Sequence, residues 1–190
     1  DFETVRRMEK KQGSKSIVQM KMKYKNPGNN EQTVHADITY TIHPSGWVEI
    51  EYTIAPDSRK GALLELGLAW EIPTVKKINW LGDGPYPSYP YKSMLAERGV
   101  YSMTTGDPFF AGNRMNVELV SLVYPESRIG MITESPNMGW EQEPDTDRIF
   151  VYQNLKIASL GTKFKLPRQV IRSEDIENAK GRLRLYVFNE

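Results

Sequence analysis

The sequence holds no cysteine and only two histidines, His35 and His43. Without thiols there is no disulfide, no thiolate nucleophile and no sulfur-based zinc site. No apolar run approaches the roughly 20 residues that a membrane-spanning helix needs, so no membrane partner is expected. A net charge of +1 is too small to recruit nucleic acid through a global field. Lys21, Lys23 and Lys25 alternate with apolar residues and read as the wet face of a strand. There is no Gly-x-Ser-x-Gly elbow, no zinc motif and no Gly-rich phosphate loop, so no cofactor and no metal is implied. The chain opens at Asp1 without a signal-peptide pattern. We therefore expect a mature product or a piece cut from something longer.

What is present is period-two alternation, the mark of a half-buried strand. Val34, Ala36, Ile38, Tyr40 and Ile42 fall on one face, and His35, Asp37, Thr39 and Thr41 on the other. His43-Pro44-Ser45-Gly46 supplies turn chemistry, after which Val48, Ile50, Tyr52 and Ile54 alternate with Trp47, Glu49, Glu51 and Thr53. This is a β-hairpin. Val18, Met20, Met22 and Tyr24 form an earlier strand joined to it through Asn26-Pro27-Gly28-Asn29. A meander with one polar face needs a second layer over its apolar face. Further strands are expected over 63–70, 75–81, 115–123, 129–133, 149–155 and 183–187. Only Ser173 to Lys180 reads as helical, stopped by Gly181. Gly82 to Tyr91 and Ser135 to Asp147 read as loops, with Gly82-Asp83-Gly84 a tight turn. With no linker and no repeat, residues 1–190 are expected to form one all-β sandwich domain.

The chemistry available is limited. His35 on a polar strand face and His43 in a turn are ordinary surface histidines. Glycoside hydrolysis needs two carboxylates flanking the bond, and Glu49 and Glu51 simply share a wet face. Glu141, Glu143, Asp145 and Asp147 lie in a loop that could hold a hard cation such as calcium, but lack the glycine and terminal glutamate of an EF-hand. Aromatic clustering stands out: Trp80, Tyr86, Tyr89 and Tyr91, with Trp140 in the later loop. Aromatic faces stack on sugar C–H faces and tyrosine hydroxyls bond sugar hydroxyls, so these five are the candidate carbohydrate-binding residues. Trp80 suits a core plug somewhat better than a platform, and the tyrosines equally suit pins for a proline-rich loop.

At this loop the chain resembles a family. Asn79-Trp80-Leu81-Gly82-Asp83-Gly84-Pro85 followed by Tyr89-Pro90 is similar to the Asn-Trp-x-Gly-x-Gly-Pro…Tyr-Pro signature of the C-terminal domain of family 2 β-galactosidases. Gly67 to Pro73 stands where that family has the strand leading in, and Gly112-Asn113-Arg114 resembles its Gly-Asn-Arg segment. The resemblance spans about residues 15 to 135. It implies an antiparallel supersandwich of galactose mutarotase type, here trimmed. It also implies that the catalytic glutamates belong to a separate (β/α)8 barrel, the expected partner along with the parent enzyme's other domains. Carbohydrate is a further possible ligand, and a periplasmic or secreted enzyme is expected. Pro87 replaces the family's usual acid, Tyr91-Lys92 replaces its Asp-Arg, and its late His-Gly-rich segment has no match here. A non-catalytic accessory domain is therefore the leading expectation, ahead of an independent carbohydrate-binding module. A mutarotase-like enzyme ranks third, because it would need His35 beside a carboxylate.

Overall fold

A computed structural model describes residues 2–26, 29–56, 62–90, 92–135, 137–158, 171–172, 176 and 179–189. The chain starts with four long strands: β1 (Phe2–Gln12), β2 (Lys15–Asn26), β3 (Asn29–Ile42) and β4 (Val48–Pro56). A short β5 (Ala62–Leu63) precedes β6 (Glu65–Pro73), β7 (Lys77–Pro85) and β8 (Ala96–Met103). Then come β9 (Gly112–Arg114), β10 (Leu119–Val123), β11 (Ser127–Thr133), β12 (Met138–Gln142) and β13 (Arg148–Ile157). A short β14 (Ile171–Arg172) and β15 (Ala179–Asn189) complete the set.

A nine-stranded sheet has the order β1-β2-β3-β4-β15-β11-β10-β7-β8, and a four-stranded sheet the order β6-β13-β12-β9. β5 and β14 pair separately. Every pairing is antiparallel. The expected meander holds in its register: Val18 lies opposite Tyr40, and Tyr40 opposite Ile50. Its apolar face supplies Ile38, Ile50, Tyr52 and Ile54 to a core completed by Ile78, Val120 and Leu122 of the same sheet and Ile149 and Val151 of the smaller one. This is the antiparallel supersandwich that the alternation and the family resemblance both anticipate.

Several elements differ from expectation, each for a local reason. β1 carries Arg6, Arg7, Glu9, Lys10 and Lys11 and breaks register between Thr4 and Arg6, so no apolar period marks it. Its charges suit an edge, where they discourage further pairing. β8, the other edge, is also new. The single strand expected over 115–123 is two: β9 ends at Arg114 in the small sheet and β10 starts at Leu119 in the large one. Between them Asn116 sits at φ 54, a left-handed conformation that Asn tolerates and that ends an extended run. The loop expected over 135–147 contains β12, and Gly82-Asp83-Gly84 is not a turn but part of β7. Ala179 and Lys180 open β15 rather than closing a helix. Gly181 lies opposite Tyr52 and leaves room for its ring, which a Cβ would strike. The rest of that expected helix (173–175, 177–178), the Pro27-Gly28 turn and Tyr91 lie outside the described residues.

Candidate functional site

The signature segment is built into the core. β7 alternates outward Asn79, Leu81 and Asp83 with buried Ile78, Trp80, Gly82 and Gly84. A Cβ on Gly82 would come within 2.8 Å of the Val117 backbone. One on Gly84 would meet the Tyr101 ring at 2.6 Å and Trp80 at 2.9 Å. The two glycines of the motif are therefore the clearance through which neighbouring groups pack beside Trp80. The indole N–H of Trp80 donates to the Asp83 carbonyl at 3.0 Å.

Arg114, the last residue of Gly-Asn-Arg, completes this cluster. Its guanidinium lies 4.6 Å from the Trp140 ring centre and 5.4 Å from that of Trp80, and the two indoles meet edge-on at 5.0 Å. Arg114 is fully buried. It donates to the carbonyls of Gly112 (2.7 Å) and Phe109, with no carboxylate partner among the described residues. Burial pulls its pKa down to about 10, against the nearby Tyr152 and Tyr89. A buried cation normally needs an anion. Here two indole faces and two carbonyl dipoles take that part.

The same motif fastens the signature loop. The Ser88 N–H donates to the Asn113 carbonyl (2.8 Å), and Asn113 Nδ2 donates to the Ser88 carbonyl (2.9 Å). The Met115 N–H donates to Ser88 Oγ (2.8 Å), and the Asn113 N–H donates to the Tyr89 hydroxyl (3.2 Å). Two motifs separate in sequence thus meet as one hydrogen-bonded unit.

The described candidate sugar-binding residues do not form one exposed platform. Trp80 and Trp140 are 1% and 0% exposed. Their ring faces are covered by Arg114 and by each other, so they form no platform for a ligand. Tyr89 is partly buried as a pin of the loop, with Lys92 Nζ 5.9 Å from its ring centre. Among the described candidates Tyr86 is the most exposed, at 36%, and its ring meets that of Phe109 edge-to-face at 4.7 Å. Sequence reading overlooked Phe109, because Asp107-Pro108 marks its surroundings only as a turn.

A second group, also overlooked, lies on the outer face of the small sheet. Cross-strand rows place Glu141, Phe150 and Glu71 together, then Gly139, Tyr152 and Ala69, then Asn154 and Gly67. The small residues leave a depression of about 480 Å³, lined in part by Glu65, Glu141, Phe150, Tyr152 and Asn154. Burial raises the Glu65 carboxyl above its ordinary value; the bond from Asn154 opposes this and Glu141 adds to it. Burial pushes the Tyr152 phenol well above its usual range. Two carboxylates, an amide and a phenol beside an aromatic ring can accept and donate hydrogen bonds to a polyhydroxylated ligand. Alternation alone marks these positions only as outward-facing.

The remaining candidates are dispersed. His43 stacks on Trp47 with ring centres 3.4 Å apart, and His35 stays on the polar face of β3. Glu143 accepts a bond from Thr146 Oγ1. Among the described residues no three His, Asp or Glu side chains gather as a metal ion would require.

The comparisons fit this architecture. No curated protein matches the sequence. Matching solved structures include a galactose 1-epimerase from Lactobacillus acidophilus NCFM, at 12% identity and a TM-score of 0.56. That match covers 100% of this chain and 66% of the epimerase chain, a likeness of fold. The family model described as beta galactosidase small chain matches residues 1–180, and the chain belongs to that family.

Proposed function

We propose that this chain is a non-catalytic accessory domain of a family 2 β-galactosidase-like glycoside hydrolase, and that it buttresses a separate catalytic (β/α)8 barrel. In this reading residues 1–190 act as one sandwich, and the acid–base pair that cleaves the glycoside comes from the barrel. The parent enzyme would be periplasmic or secreted.

The observation that carries the reading is a patch on the outer face of the large sheet. Pairing aligns Val100, Leu81, Leu119 and Ile132 in one row across β8, β7, β10 and β11. Val100 is 79% exposed, Leu119 40% and Ile132 41%. Beside them lies the uncharged row Ser102, Asn79, Ser121 and Gly130, and then stacked Trp47, Tyr186 and Phe188. A charged rim (Arg98 paired with Glu118) borders the other side. An apolar and aromatic centre with a polar rim is the composition of a protein interface.

Charge placed in this row tests the proposal. Leu119→Asp combined with Ile132→Asp in the parent enzyme should abolish stable domain association and lower galactosidase activity. The isolated variant should keep its unfolding midpoint. Unchanged assembly and activity would refute docking through this face.

A carbohydrate-binding module is the second reading, favoured by the Glu65–Glu141–Tyr152 depression and the exposed Tyr86–Phe109 pair. Calorimetric titration with galactose, lactose and plant and host glycans addresses it. Binding that is lost in Glu141→Gln would place sugar in the depression, and absence of heat would leave the buttress reading alone.

A further inference from the structure

The turn joining β3 to β4 fixes two rings against each other. The His43 N–H donates to the Trp47 carbonyl and the Gly46 N–H to the His43 carbonyl, both at 2.9 Å. Gly46, at φ 87, takes the left-handed position that closes so tight a turn. The closure lays the His43 imidazole on the Trp47 indole, with ring centres 3.4 Å apart and planes within 12°. Trp47 in turn lies near-parallel to Tyr186, and Tyr186 to Phe188, at 5.9 and 6.5 Å. His43 is thus the first ring of the aromatic run at one end of the exposed Val100–Leu119–Ile132 face.

In this position the imidazole is poorly placed to hold a second proton. Its Nε2 is buried and has no hydrogen-bond partner among the described residues. The charged groups around it come from three strands: Lys15 of β2, Glu49 of β4 and Arg184 of β15. Glu49 is the one anion of the three, and it is already bonded to Arg182 and Arg184. Desolvation first, then Lys15 and Arg184, hold the His43 pKa below its ordinary 6.5, with Glu49 opposing them. An imidazolium would gain from the indole face. Arg184 already stands 6.0 Å from the centre of that ring, however, and the new N–H would be buried without an acceptor.

We infer that His43 is a proton-operated switch on the docking face, seating Trp47 when neutral and releasing it when protonated. The inference rests on the reading of that face as the barrel interface. Proton uptake sets a charge and an unpartnered N–H beside Lys15 and Arg184, and the ring must turn to water to hydrate them. Trp47 then loses its backing, and the aromatic end of the face loses its shape. By linkage, a partner that docks on the seated form expels the proton, so acid and docking oppose each other.

The test starts on the 190-residue chain. It has two histidines, so His35→Gln leaves the His43 ring signal alone in a proton NMR titration. That signal should titrate below 6.5. Tryptophan fluorescence should change with the same midpoint, a change absent from Trp47→Phe and from His43→Phe. His43→Phe keeps a ring on Trp47 without a titratable group, which separates proton uptake from loss of the stack. Between pH 7.5 and pH 5, docking to the barrel-bearing remainder of the parent enzyme should weaken about threefold more in the unaltered chain than in His43→Phe. A His43 titration at or above 6.5, or fluorescence that stays flat through it, would overturn the inference. So would equal acid weakening of docking in the unaltered chain and in His43→Phe. Assembly that survives Leu119→Asp with Ile132→Asp at every pH removes the barrel reading, and the titration of the chain alone still decides the switch.

Discussion

The two ends of the nine-stranded sheet start from the same sequence pattern and finish differently. At the β7–β10–β11 end the apolar face is roofed by β12 and β13, and Trp80, Arg114 and Trp140 close the layer to full burial. At the β1–β3 end the same alternation leaves Met20, Met22 and Ala36 half-buried beside the β6 edge. The outer faces reverse this order. Behind the half-covered end, Lys21 pairs with Asp37 and charge dominates, whereas behind the sealed end Val100, Leu119 and Ile132 are exposed. Among the described residues each end thus leaves one apolar surface open, on opposite faces of the sheet. Alternation decides which face is apolar, but not whether anything covers it.

Breaking the sealed end should have the largest effect. Trp80→Ala removes an indole whose N–H is bonded and whose faces are packed, and should destabilise by about 3–5 kcal/mol in urea unfolding. A near-normal midpoint would mean the cluster relaxes freely. Arg114→Met keeps most of the volume while orphaning the Gly112 and Phe109 carbonyls, and a loss of about 2–3 kcal/mol is expected by the same method. A neutral or stabilising result would show that the indoles need only an apolar spacer. At the open end, Met22→Ala should cost about 1 kcal/mol or less, because much of that side chain already meets solvent. A loss as large as that at Trp80 would contradict the contrast.

The smallest expected effect depends on pH. Partial burial of Glu49 favours its neutral form, but hydrogen bonds from Arg182 and Arg184 prevail and hold the carboxyl below its ordinary 4.5. As pH falls, the unfolded chain therefore takes up the proton first. The stabilisation is full above the ordinary value and fades as pH drops through the lowered native one. Glu49→Gln should thus lose at most about 1 kcal/mol at pH 7. The difference from the parent chain should shrink at pH 3, as urea midpoints at the two pH values would show.

Much of the fold was legible where one face of a strand is buried and the other wet. β2, β3 and β4 follow directly from the alternation of Val18 to Tyr24, Val34 to Ile42 and Val48 to Ile54. β1 was not legible because an edge strand of Arg, Glu and Lys buries too little to show a period. β12 was hidden by the acids that follow Trp140. At the site, the signature motif was found and the core position of Trp80 was among its readings, but the packing role of its glycines was not. Its glycines serve close packing, and its tryptophan serves the core. Glu65, Glu141 and Tyr152 come from three strands far apart in sequence, so only the pairing of β6, β12 and β13 brings them together.

The most direct test of the account is complementation. Turnover of p-nitrophenyl β-galactoside would be measured for this chain alone, for the barrel-bearing remainder of its parent enzyme, and for the two mixed. The account predicts no turnover by the chain, weak turnover by the remainder, and restored turnover on mixing that Leu119→Asp with Ile132→Asp abolishes. Turnover by the chain alone, or full activity of the remainder without it, would contradict the account.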